Sequence, residues 1–556
     1  MVDQLDEAQL RRFASRARRN LESTLGFILS LVFVGLLFTV FHFVVGRSNH
    51  RMRTRRREKP PGSRVPFVFA MARNVRKLGL RRVRSGPSLD RASIVALYLA
   101  LNLVALFTNL DNKNMALETN VAARSAWLAI ANLLFVVFFA LRITPLSFLA
   151  ARSYERLNCL HRVAGLTATS LFIIHASLYS GYFAEAGMTD ILLRRSDVFG
   201  MVAGVSWILM ALAAVCLRRW RYELFYHVHV SLWVVSVVAL ALHQPDLGRK
   251  IPIGTVVAGS MWALDRVIRL ARLAVHGMNN SATLSPLPNG GTRVTLAKPP
   301  MGAFPGKHCF LWIPRIRLLQ THPFTMASAD PLEFVVASRD GFTRDLHKHA
   351  VDHPGIVLKA SVEGPYGAAP DPWAFETVVL VAGGSGASFT FGLAQALLGR
   401  STNNSNVTRR VVFVWAVKYS SHLTWFAEHL VTLGNDARFS VAVFVTRSSP
   451  PSPSSPTRTS SAAPGDSGSS EDLEKPPPPS PGGADGPISL PGLPIQYRRP
   501  DTALLIREAV SATGACERVL ISTCGPAQMT QLVRQTAAEC IRADGPSVHL
   551  HSEHFA

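Results

Sequence analysis

Seven apolar segments dominate the first half of this 556-residue chain. Each is close to the length that crosses a lipid bilayer. They lie near residues 24–45, 92–110, 126–150, 161–180, 198–216, 227–243 and 252–272. The first segment is not typical of a signal peptide, because it begins too late in the chain and lacks the small-residue cleavage signal. The segments predict a membrane α-helical bundle of about seven spans, because helices satisfy their own backbone groups inside lipid.

The positive charge of the chain lies mainly in the loops between these segments. The chain has 59 Lys+Arg against 36 Asp+Glu, and residues 47–91 alone carry fifteen Lys or Arg and two acids. The connection LRRWRYE (217–223) is also basic. The positive-inside rule places both loops, and with them the half after residue 272, in the cytosol. Only the basic run RRFASRARR (11–19) falls outside, against the rule.

Topology therefore accounts for the basic charge, and we expect no nucleic-acid partner. Loop 47–91 is interpreted as an orientation signal that contacts anionic membrane lipid. A docking site for a regulator is the alternative reading of that loop. The six cysteines are scattered without a CxxC motif, which argues against a disulfide framework, a zinc site and covalent c-type haem.

The second half of the chain is typical of a soluble α/β protein. From 280 to 375, short β-like runs such as TRVTLAK and LEFVVAS alternate with Gly/Pro turns, which predicts a small antiparallel β-barrel. From 376 to 556, strands alternate with helices, which predicts a parallel, doubly wound sheet. A Pro/Ser/Gly-rich stretch at about 448–493 cannot bury a core and predicts a disordered insertion. Two regions are predicted before this soluble half. Residues 1–119 hold a first span, the basic loop and a second span, and residues 120–275 form a transmembrane domain.

Four histidines in the predicted spans form two equally spaced pairs. His161 and His175 lie fourteen residues apart, and so do His229 and His243. Fourteen residues is nearly four helical turns, so each pair shares one face with roughly 21 Å between its members. His227 competes with His229, but its sixteen-residue spacing to His243 puts it on nearly the opposite face. Both helices are predicted to run outward from the cytosol, so each level offers two imidazoles.

This arrangement favours two b-type haems with bis-histidine iron, His161 with His229 and His175 with His243. Polar side chains are costly inside a bilayer and are usually functional. Structural histidines between helices, or a proton path, are the alternative.

Taken together, the motifs of this chain resemble the fungal ferric/cupric reductases, relatives of the NADPH oxidases. The resemblance covers roughly residues 120–556 and rests on the two histidine pairs together with HPFTMAS, EGPYG, LVAGGSGASFTFG and CGPAQM in that order. It implies a ferredoxin-reductase-like module after the dihaem bundle, with an FAD barrel and an NADPH-binding α/β domain. The cofactors it implies are FAD, two haem b and NADPH as electron donor.

The resemblance also implies flavin-binding residues around HPFTMAS and DGFTRDL. The FAD-binding candidates are His322, Pro323, Phe324, Thr325, Ser328, Gly341, Thr343 and, near the C-terminus, Phe555. Glu553 and Phe555 match the Glu-x-aromatic ending of the family, in which an aromatic ring covers the flavin. HPFT alone is equally typical of an ordinary proline turn before a strand.

Glycine-rich loops supply the second nucleotide site. Glycines let the backbone approach a diphosphate, and a helix N-terminus favours its charge. By resemblance, Cys524 lies near the nicotinamide, although plain packing is an alternative. A 2′-phosphate needs a cation, for which Arg447 and Arg499 are candidates. The NADPH-binding candidates are Gly364, Pro365, Gly367, Gly383, Gly384, Ser385, Gly386, Arg447, Arg499, Cys524, Gly525 and Pro526.

The resemblance implies a multi-pass plasma-membrane enzyme, an NADPH-dependent ferric-chelate reductase. Electrons would pass from NADPH through FAD and the inner and outer haems to extracellular Fe(III) chelates, or to Cu(II), with an iron permease or multicopper oxidase as partner in uptake. No acid–base pair is expected, because the cofactors transfer the electrons. A superoxide-generating NADPH oxidase is the alternative within the class. A transporter or a catalytically silent sensor relative is the alternative from another class.

Overall fold

The structure is a computed structural model that describes residues 6–56, 77–80, 89–144, 154–243, 251–399, 408–447, 492–515, 517–542 and 545–553. The chain divides into two compact units, one helical and one built on two sheets. Most of the predicted insertion, residues 448–491, lies outside the described residues, as do most of the basic loop and Phe555.

The helical unit is built from the predicted apolar segments. Its helices are α1 (Glu7–Arg56), α2 (Leu89–Phe107), α3 (Leu117–Ala140), α4 (Tyr154–Glu185), α5 (Arg195–Trp220), α6 (Tyr222–Leu242) and α7 (Ile251–Gly277). A short 3-10 helix (Thr189–Leu193) joins α4 to α5.

Six of these described helices, α1 to α6, are long and apolar enough to cross a membrane. The seventh predicted segment also forms a helix, α7, but its second half carries Asp265, Arg266 and Arg269. Large apolar side chains cover the outer faces of the helices; Phe33 is 60% exposed and Val205 is 58% exposed. A soluble protein rarely exposes so much contiguous apolar surface. The helical unit is therefore a membrane bundle.

Helix α3 differs in position from the predicted segment at 126–150, because it begins at Leu117. Its first turns are polar, and hydropathy alone missed them. The side chain of Arg124 is fully buried (0% exposed). Its guanidinium donates to the carbonyl oxygens of Ala105 at 2.6 Å and Thr108 at 2.7 Å, at the end of α2. A buried cation satisfied in this way is tolerated inside a bundle, so the helix extends further than its apolar run.

The second unit begins with an antiparallel sheet. Its strands are β1 (Ser281–Leu287), β2 (Gly291–Leu296), β3 (His308–Trp312), β4 (His322–Ala329), β5 (Leu332–Ala337), β6 (Val357–Lys359) and β7 (Ser361–Tyr366). Their order in the sheet is β6-β1-β2-β5-β4-β3-β7. Helix α8 (Phe342–Asp352) packs its apolar face, with Phe342 and Leu346, into the core that these strands enclose.

A six-stranded parallel sheet follows in the same unit. Its strands are β8 (Thr377–Gly383), β9 (Arg410–Val417), β10 (Phe439–Val445), β11 (Ile495–Gln496), β12 (Arg518–Cys524) and β13 (Ser547–Glu553). The sheet order is β11-β10-β9-β8-β12-β13, so the chain reverses direction across the sheet between β8 and β12. Ligands of doubly wound sheets bind at the carboxyl ends of the strands at such a switch point.

Four helices flank this parallel sheet. They are α9 (Ala387–Leu398), α10 (Ala427–Gly434), α11 (Thr502–Ser511) and α12 (Ala527–Cys540). Six described helices long and apolar enough to cross a membrane, followed by the antiparallel sheet and the doubly wound sheet, confirm the predicted fold class.

Helix α9 and strand β4 pack backbone against backbone. A Cβ atom placed on Gly392 would lie 2.8 Å from the carbonyl oxygen of Met326 and closer still to the backbone nitrogen of Gly306. Those two groups are themselves joined, since Gly306 N donates to Met326 O at 2.9 Å. Only glycine fits this contact. It fixes the distance between β4, which carries HPFTMAS, and α9, which follows the glycine-rich loop.

Candidate functional site

The first two membrane histidines, one on α4 and one on α6, lie opposite each other. The ring centres of His161 and His229 are 6.3 Å apart. Two imidazoles that bind one iron from opposite sides, each at about 2 Å, leave their ring centres roughly 6 Å apart. The structure therefore brings this predicted pair together at a separation that fits an iron atom. It is His229, and not the competing His227, that faces His161.

The second pair, His175 and His243, lies at the other end of the same helices. Helix α6 ends at Leu242, so His243 is its C-cap residue. Gly200 of α5 leaves room for His243, because a Cβ there would lie 2.8 Å from the imidazole ring.

Backbone carbonyls hold three of the four imidazoles. The Nδ1–H groups of His161, His175 and His243 donate to carbonyl oxygens at 2.9, 3.0 and 2.7 Å. A carbonyl only accepts, so the neutral imidazole keeps its proton on Nδ1 and turns the Nε2 lone pair towards a metal. This is the usual second interaction of a metal-binding histidine. The donor set fits haem, and the ligand roles of the four histidines stay predictions.

Helix α3 supplies two of these carbonyls in register. His161 bonds Val136 O and His175 bonds Ala122 O, so fourteen residues of α4 run antiparallel to fourteen residues of α3. The carbonyl oxygen of a helical residue has a second lone pair, which accepts the imidazole proton without loss of the helix bond. Helix α3 therefore sets the position of both histidines of α4 along the helix axis.

The HPFTMAS segment forms β4 of the antiparallel sheet. The His322 ring stacks on Phe342 at 4.4 Å with an angle of 17° between the planes. Phe324 also lies against Phe342, at 6.2 Å. The ring of Phe342 comes from DGFTRDL, so the structure joins the two predicted flavin segments through an aromatic cluster. Pro323 is exposed at this end of β4.

The start of α8 provides an anion-binding geometry beside this cluster. Gly341 has a φ of +70°, which favours glycine, and no side chain caps the first turn of α8. The uncapped N–H groups of a helix N-terminus attract a diphosphate. The Thr343 hydroxyl accepts from the backbone N–H of Arg339 at 2.8 Å, so it also shapes the loop. The arrangement fits the FAD that DGFTRDL predicts.

The other two predicted hydroxyls lie further along β4. Thr325 is buried and pairs with His308 of β3. Ser328 pairs with Glu333 of β5 next to an irregularity in the register. Their contacts with flavin stay predictions.

The glycine-rich loop after β8 meets the CGP loop after β12. A Cβ on Gly383 would lie 2.5 Å from the ring of Pro526, and one on Gly386 would lie 2.5 Å from the carbonyl oxygen of Cys524. A Cβ on Gly525 would lie 2.8 Å from the backbone nitrogen of Gly383. Three of the predicted glycines therefore let the two loops pack together. They do so at the switch point of the sheet.

Gly384 differs from these glycines, because it faces open space. Its φ is +56°, and no atom lies within 4 Å of a Cβ placed there. Trp415 of β9 fixes the loop, since its Nε1–H donates to Gly384 O at 3.1 Å. Ser385 is half-buried in the same turn, directly before α9. This segment is the part of the loop that best fits a diphosphate.

The EGPYG segment has a different local explanation. Gly364 has a φ of +151°, and a Cβ there would lie 2.9 Å from the sulfur of Cys309. The close packing of β7 on β3 therefore already requires this glycine. Pro365 follows it through a cis peptide bond, and Gly367 has a φ of +93°. The contacts of these three residues with NADPH stay predictions.

The thiol of Cys524 is buried at the end of β12. Burial, and then the nearby carboxylate of Glu553, raise the pKa of Cys524 to about 12. The thiol is therefore neutral at physiological pH and is no nucleophile there. Glu553 pairs with Cys524 across β12 and β13, so the end of β13 lies beside the carboxyl end of β12. Phe555, two residues later, lies outside the described residues.

The two predicted 2′-phosphate arginines lie beyond neighbouring strands. Phe444 of β10 pairs with Gln496 of β11, and Arg447 and Arg499 each follow three residues later. Both side chains are exposed. The sequence analysis missed Lys418, which directly follows β9 and whose carbonyl accepts from Arg447 N at 3.0 Å. Its position one residue past a parallel strand could have identified it.

Two aromatic residues were also missed. Phe342 lies between the predicted Gly341 and Thr343, and its place inside the motif was the available signal. Trp415 looks like an ordinary core residue of β9 in the sequence, and only the structure connects it to Gly384.

Three family models match the chain in consecutive blocks. The ferric reductase like transmembrane component matches residues 125–240, an FAD-binding domain matches 277–370, and the ferric reductase NAD binding domain matches 375–538. Two of these three models are models of ferric reductase domains. This confirms the resemblance to ferric/cupric reductases. The family models also cover both nucleotide sites, for FAD and for a nicotinamide nucleotide.

Two relatives illustrate the similarity within the ferric reductase family. The probable cell surface ferric reductase kap2 of Aspergillus oryzae is 29% identical over 67% of this chain and 54% of its own length. The ferric/cupric reductase transmembrane component 1 of Candida albicans is 27% identical over 57% of this chain and 42% of its own. The chain thus spans about half the length of these relatives. The chain is also similar to a structure of a ferredoxin NADP+ reductase from Neisseria gonorrhoeae with bound FAD and NADP. The match covers 49% of this chain and 97% of the reductase, with 14% sequence identity and a TM-score of 0.32.

Proposed function

We propose that this chain is a transmembrane metalloreductase that takes electrons from cytosolic NADPH and delivers them to chelated Fe(III) outside the cell, with Cu(II) as a second acceptor. The observation that carries the proposal is the opposed pair His161 and His229, 6.3 Å apart in the membrane bundle. A bis-histidine iron site in a membrane suits electron transfer, because it leaves no open coordination position for a substrate. The relatives named as ferric and ferric/cupric reductases support the choice of acceptor.

The residues of the chain would bind and position the cofactors. When bound, FAD supplies the exchange between a hydride and single electrons, and haem iron supplies one-electron transfer. His322 and Phe342 offer flat rings at the flavin site, and the N-terminus of α8 offers N–H groups to a diphosphate. Gly384 leaves open space for the second nucleotide. The carbonyls that accept from Nδ1 would keep His161, His175 and His243 in the tautomer that presents Nε2.

The choice of NADPH over NADH rests on cations at the carboxyl edge of the parallel sheet. Arg447, Arg499 and Lys418 follow β10, β11 and β9, which lie side by side. A 2′-phosphate is bound by such side chains in dinucleotide-binding sheets. We therefore propose NADPH as the donor, and Arg447→Ala should raise the KM for NADPH more than the KM for NADH.

The proposal extends to location and partners. The protein would lie in the plasma membrane, and the basic loops support a cytosolic position of its nucleotide-binding half. Reduced iron would pass to a separate uptake protein, an iron permease or a multicopper oxidase partner. Co-purification of such a protein with the intact chain from membranes tests this part.

The main experiment compares acceptors. Purified full-length protein in lipid nanodiscs is supplied with NADPH, and the reduction of an Fe(III) chelate is measured with and without superoxide dismutase, in air and under nitrogen. We expect reduction under nitrogen, unaffected by the dismutase. If iron is reduced only through superoxide, the protein is an oxidase and the proposal is wrong. If the protein shows no haem absorption at all, the result favours the alternative that it is a transporter or a catalytically silent sensor.

A second experiment tests the histidine pairing. His175→Ala should remove roughly half of the haem absorption, because one of two predicted sites loses a ligand. His227→Ala is the matched control, since this histidine lies on the same helix as His229 but does not face His161. An unchanged spectrum in His175→Ala would show that the pairing is wrong.

A further inference from the structure

The second half of helix α7 carries an apolar stripe along one side. Successive residues of a helix are turned by about 100°, which puts the large apolar residues of this stretch on one side and its three arginines on the other. The apolar residues are all more than half exposed, and they are Leu264, Val267, Leu270, Val275 and, directly after the helix, Met278. The arginines are Arg266, Arg269 and Arg272. The chain enters the second unit at Arg272, so the stripe continues from the membrane bundle onto that unit.

A groove of about 800 Å³ lies in the second unit where this stripe ends. Its walls are the last turn of α7, the start of β1, strand β6 and Trp312 at the end of β3. Met278 and Val357 both line the groove, and each is more than half exposed. The groove is therefore largely apolar and also accessible from outside.

Hydrogen bonds hold the wall that α7 forms. His276 Nδ1 donates to Val362 O at 2.9 Å, and the Ser361 hydroxyl donates to Leu273 O at 2.6 Å. The side-chain amide of Asn280 donates to His276 O at 2.9 Å. The last turn of α7 is thus fixed against β7, and the groove is a built part of the second unit.

The loop after β3 extends the apolar surface beside Trp312. Trp312 Nε1 donates to Leu318 O at 2.8 Å, which holds the loop against a residue of the groove wall. Leu318 is 66% exposed and Leu319 is 85% exposed. Exposed apolar residues that cluster in this way mark a contact surface for a partner or a membrane.

The charge of this region is positive. Residues 266–329, which include half of α7 and the first three strands, contain eight Lys or Arg and no Asp or Glu. Among the described residues that line the groove, Lys359 is the one charged side chain. Lys359 and Arg315, which lies in the loop after β3, are both exposed. Neither forms an ion pair with another residue that the structure describes.

The acids that are nearest in sequence do not cancel this charge at the groove. Asp345 is paired with Arg317 at 2.6 Å. Glu363 is buried, with 2% of its surface exposed. Asp352, at the end of α8, is exposed but does not line the groove.

We propose that this groove binds an anionic phospholipid of the cytosolic leaflet, with an acyl chain along Met278 and Val357 and the headgroup at Lys359. The stripe of α7 argues for lipid over a soluble partner, because it connects the groove to the lipid-facing surface of the bundle. The cytosolic leaflet carries the anionic lipids, and each Lys or Arg near its surface strengthens binding. The inference rests on the cytosolic position proposed above and is independent of the electron acceptor.

The first experiment tests the headgroup. Full-length protein in detergent is titrated with phosphatidylserine or phosphatidylcholine, and bound lipids are counted by native mass spectrometry. In Lys359→Gln we expect the affinity for phosphatidylserine to fall about fivefold, while the affinity for phosphatidylcholine is retained. Lys348→Gln is the matched control, because Lys348 of α8 is also exposed but does not line the groove.

The second experiment fills the groove without a change of charge. Ala274 lines the groove and is exposed, so the larger ring of Ala274→Phe should occupy the space of the acyl chain. We expect this variant to lose at least one bound phosphatidylserine. Ala271→Phe is its control, because Ala271 is exposed about one turn earlier on α7 and does not line the groove.

Each outcome decides for or against the lipid site. If Lys359→Gln binds phosphatidylserine as tightly as Lys348→Gln does, the headgroup does not bind at Lys359 and the proposal is refuted. Equal lipid counts in Ala274→Phe and Ala271→Phe would show that no lipid occupies the groove. If Ala274→Phe fails to fold, the exposed Lys359→Gln still decides. If the lipid binds as expected but no ferric chelate is reduced, the proposed function fails and the lipid site stands.

Discussion

The contact at Gly392 allows a quantitative prediction about communication between the two nucleotide sites. An ordinary contact of a Cβ begins near 3.4 Å, but a Cβ at Gly392 would lie 2.8 Å from Met326 O and nearer to Gly306 N. Both neighbours are backbone atoms, so neither can rotate away. In Gly392→Ala, α9 and β4 must therefore separate by roughly 1 Å.

The cost follows from two opposing effects. Overpacking of a tight site costs about 1–3 kcal/mol, and the rigid backbone puts this site near the upper end. Alanine in place of glycine inside a helix stabilises the helix by about 1 kcal/mol, which offsets part of this cost. We expect a net loss of about 2 kcal/mol in the free energy of unfolding of the second unit, or a melting temperature lower by about 4–8 °C.

The effect on electron transfer should be larger than the effect on stability. Strand β4 carries the predicted flavin residues, and α9 follows the loop of the nicotinamide nucleotide, so separation of the two moves the donor away from the acceptor. A misplacement of 1 Å can cost up to about a hundredfold in rate. We expect the rate of flavin reduction to fall about tenfold to a hundredfold while the FAD content is retained.

The assay is anaerobic stopped-flow reduction of FAD by NADPH in full-length protein, with flavin fluorescence to follow melting. Gly399→Ala, at the end of the same helix, is the control, because it has a φ of −69° and its nearest neighbour, Gln395 O, is 3.6 Å from a Cβ. If Gly392→Ala reduces its flavin and melts like Gly399→Ala, the contact does not set the distance.

Further predictions concern the histidines and the buried thiols. His229→Ala should abolish the inner haem signal in redox-resolved absorption spectra while His227→Ala keeps it, and equal loss in both would contradict the assignment of the facing residue. Gly200→Ala should broaden or shift the low-temperature electron paramagnetic resonance signal of the outer site only, because its Cβ would push the imidazole of His243; an identical spectrum would show that the ring has room to move. The stability of the second unit should fall as pH rises from about 8.5 towards 12, because the unfolded chain loses the Cys524 proton that the folded chain keeps. The slope is about 1.4 kcal/mol per pH unit for each such thiol, so denaturant melts of Cys524→Ala should show a shallower pH dependence than those of wild type.

Periodicity predicted the elements whose geometry depends on regular spacing. The fourteen-residue spacing of the histidines indicated which of them share a helix face, and the structure indeed places His161 opposite His229. Alternation of strands and helices likewise predicted the doubly wound sheet. These features follow from helix pitch and strand order, which the sequence encodes locally.

Features that depend on contacts between distant segments could not be predicted. Hydropathy missed the first turns of α3, because the charge of Arg124 is satisfied by carbonyls of another helix. The motif glycines looked alike in the sequence, yet the structure separates Gly384, which faces open space, from Gly364, which packs against Cys309. The neighbours of a glycine come from other strands, so no pattern along the chain distinguishes the two.

The paired carbonyls of α3 have a consequence for how such a chain can change in evolution. Val136 and Ala122 hold His161 and His175 across two antiparallel helices, and the same number of residues separates the members of each pair. Insertion of one residue between 122 and 136 would rotate the rest of the helix by about 100° and move one carbonyl away from its imidazole. A compensating insertion in α4 would move the histidines apart in turn. Insertions and deletions should therefore be confined to the helix ends and loops, whereas side chains between the two levels can vary.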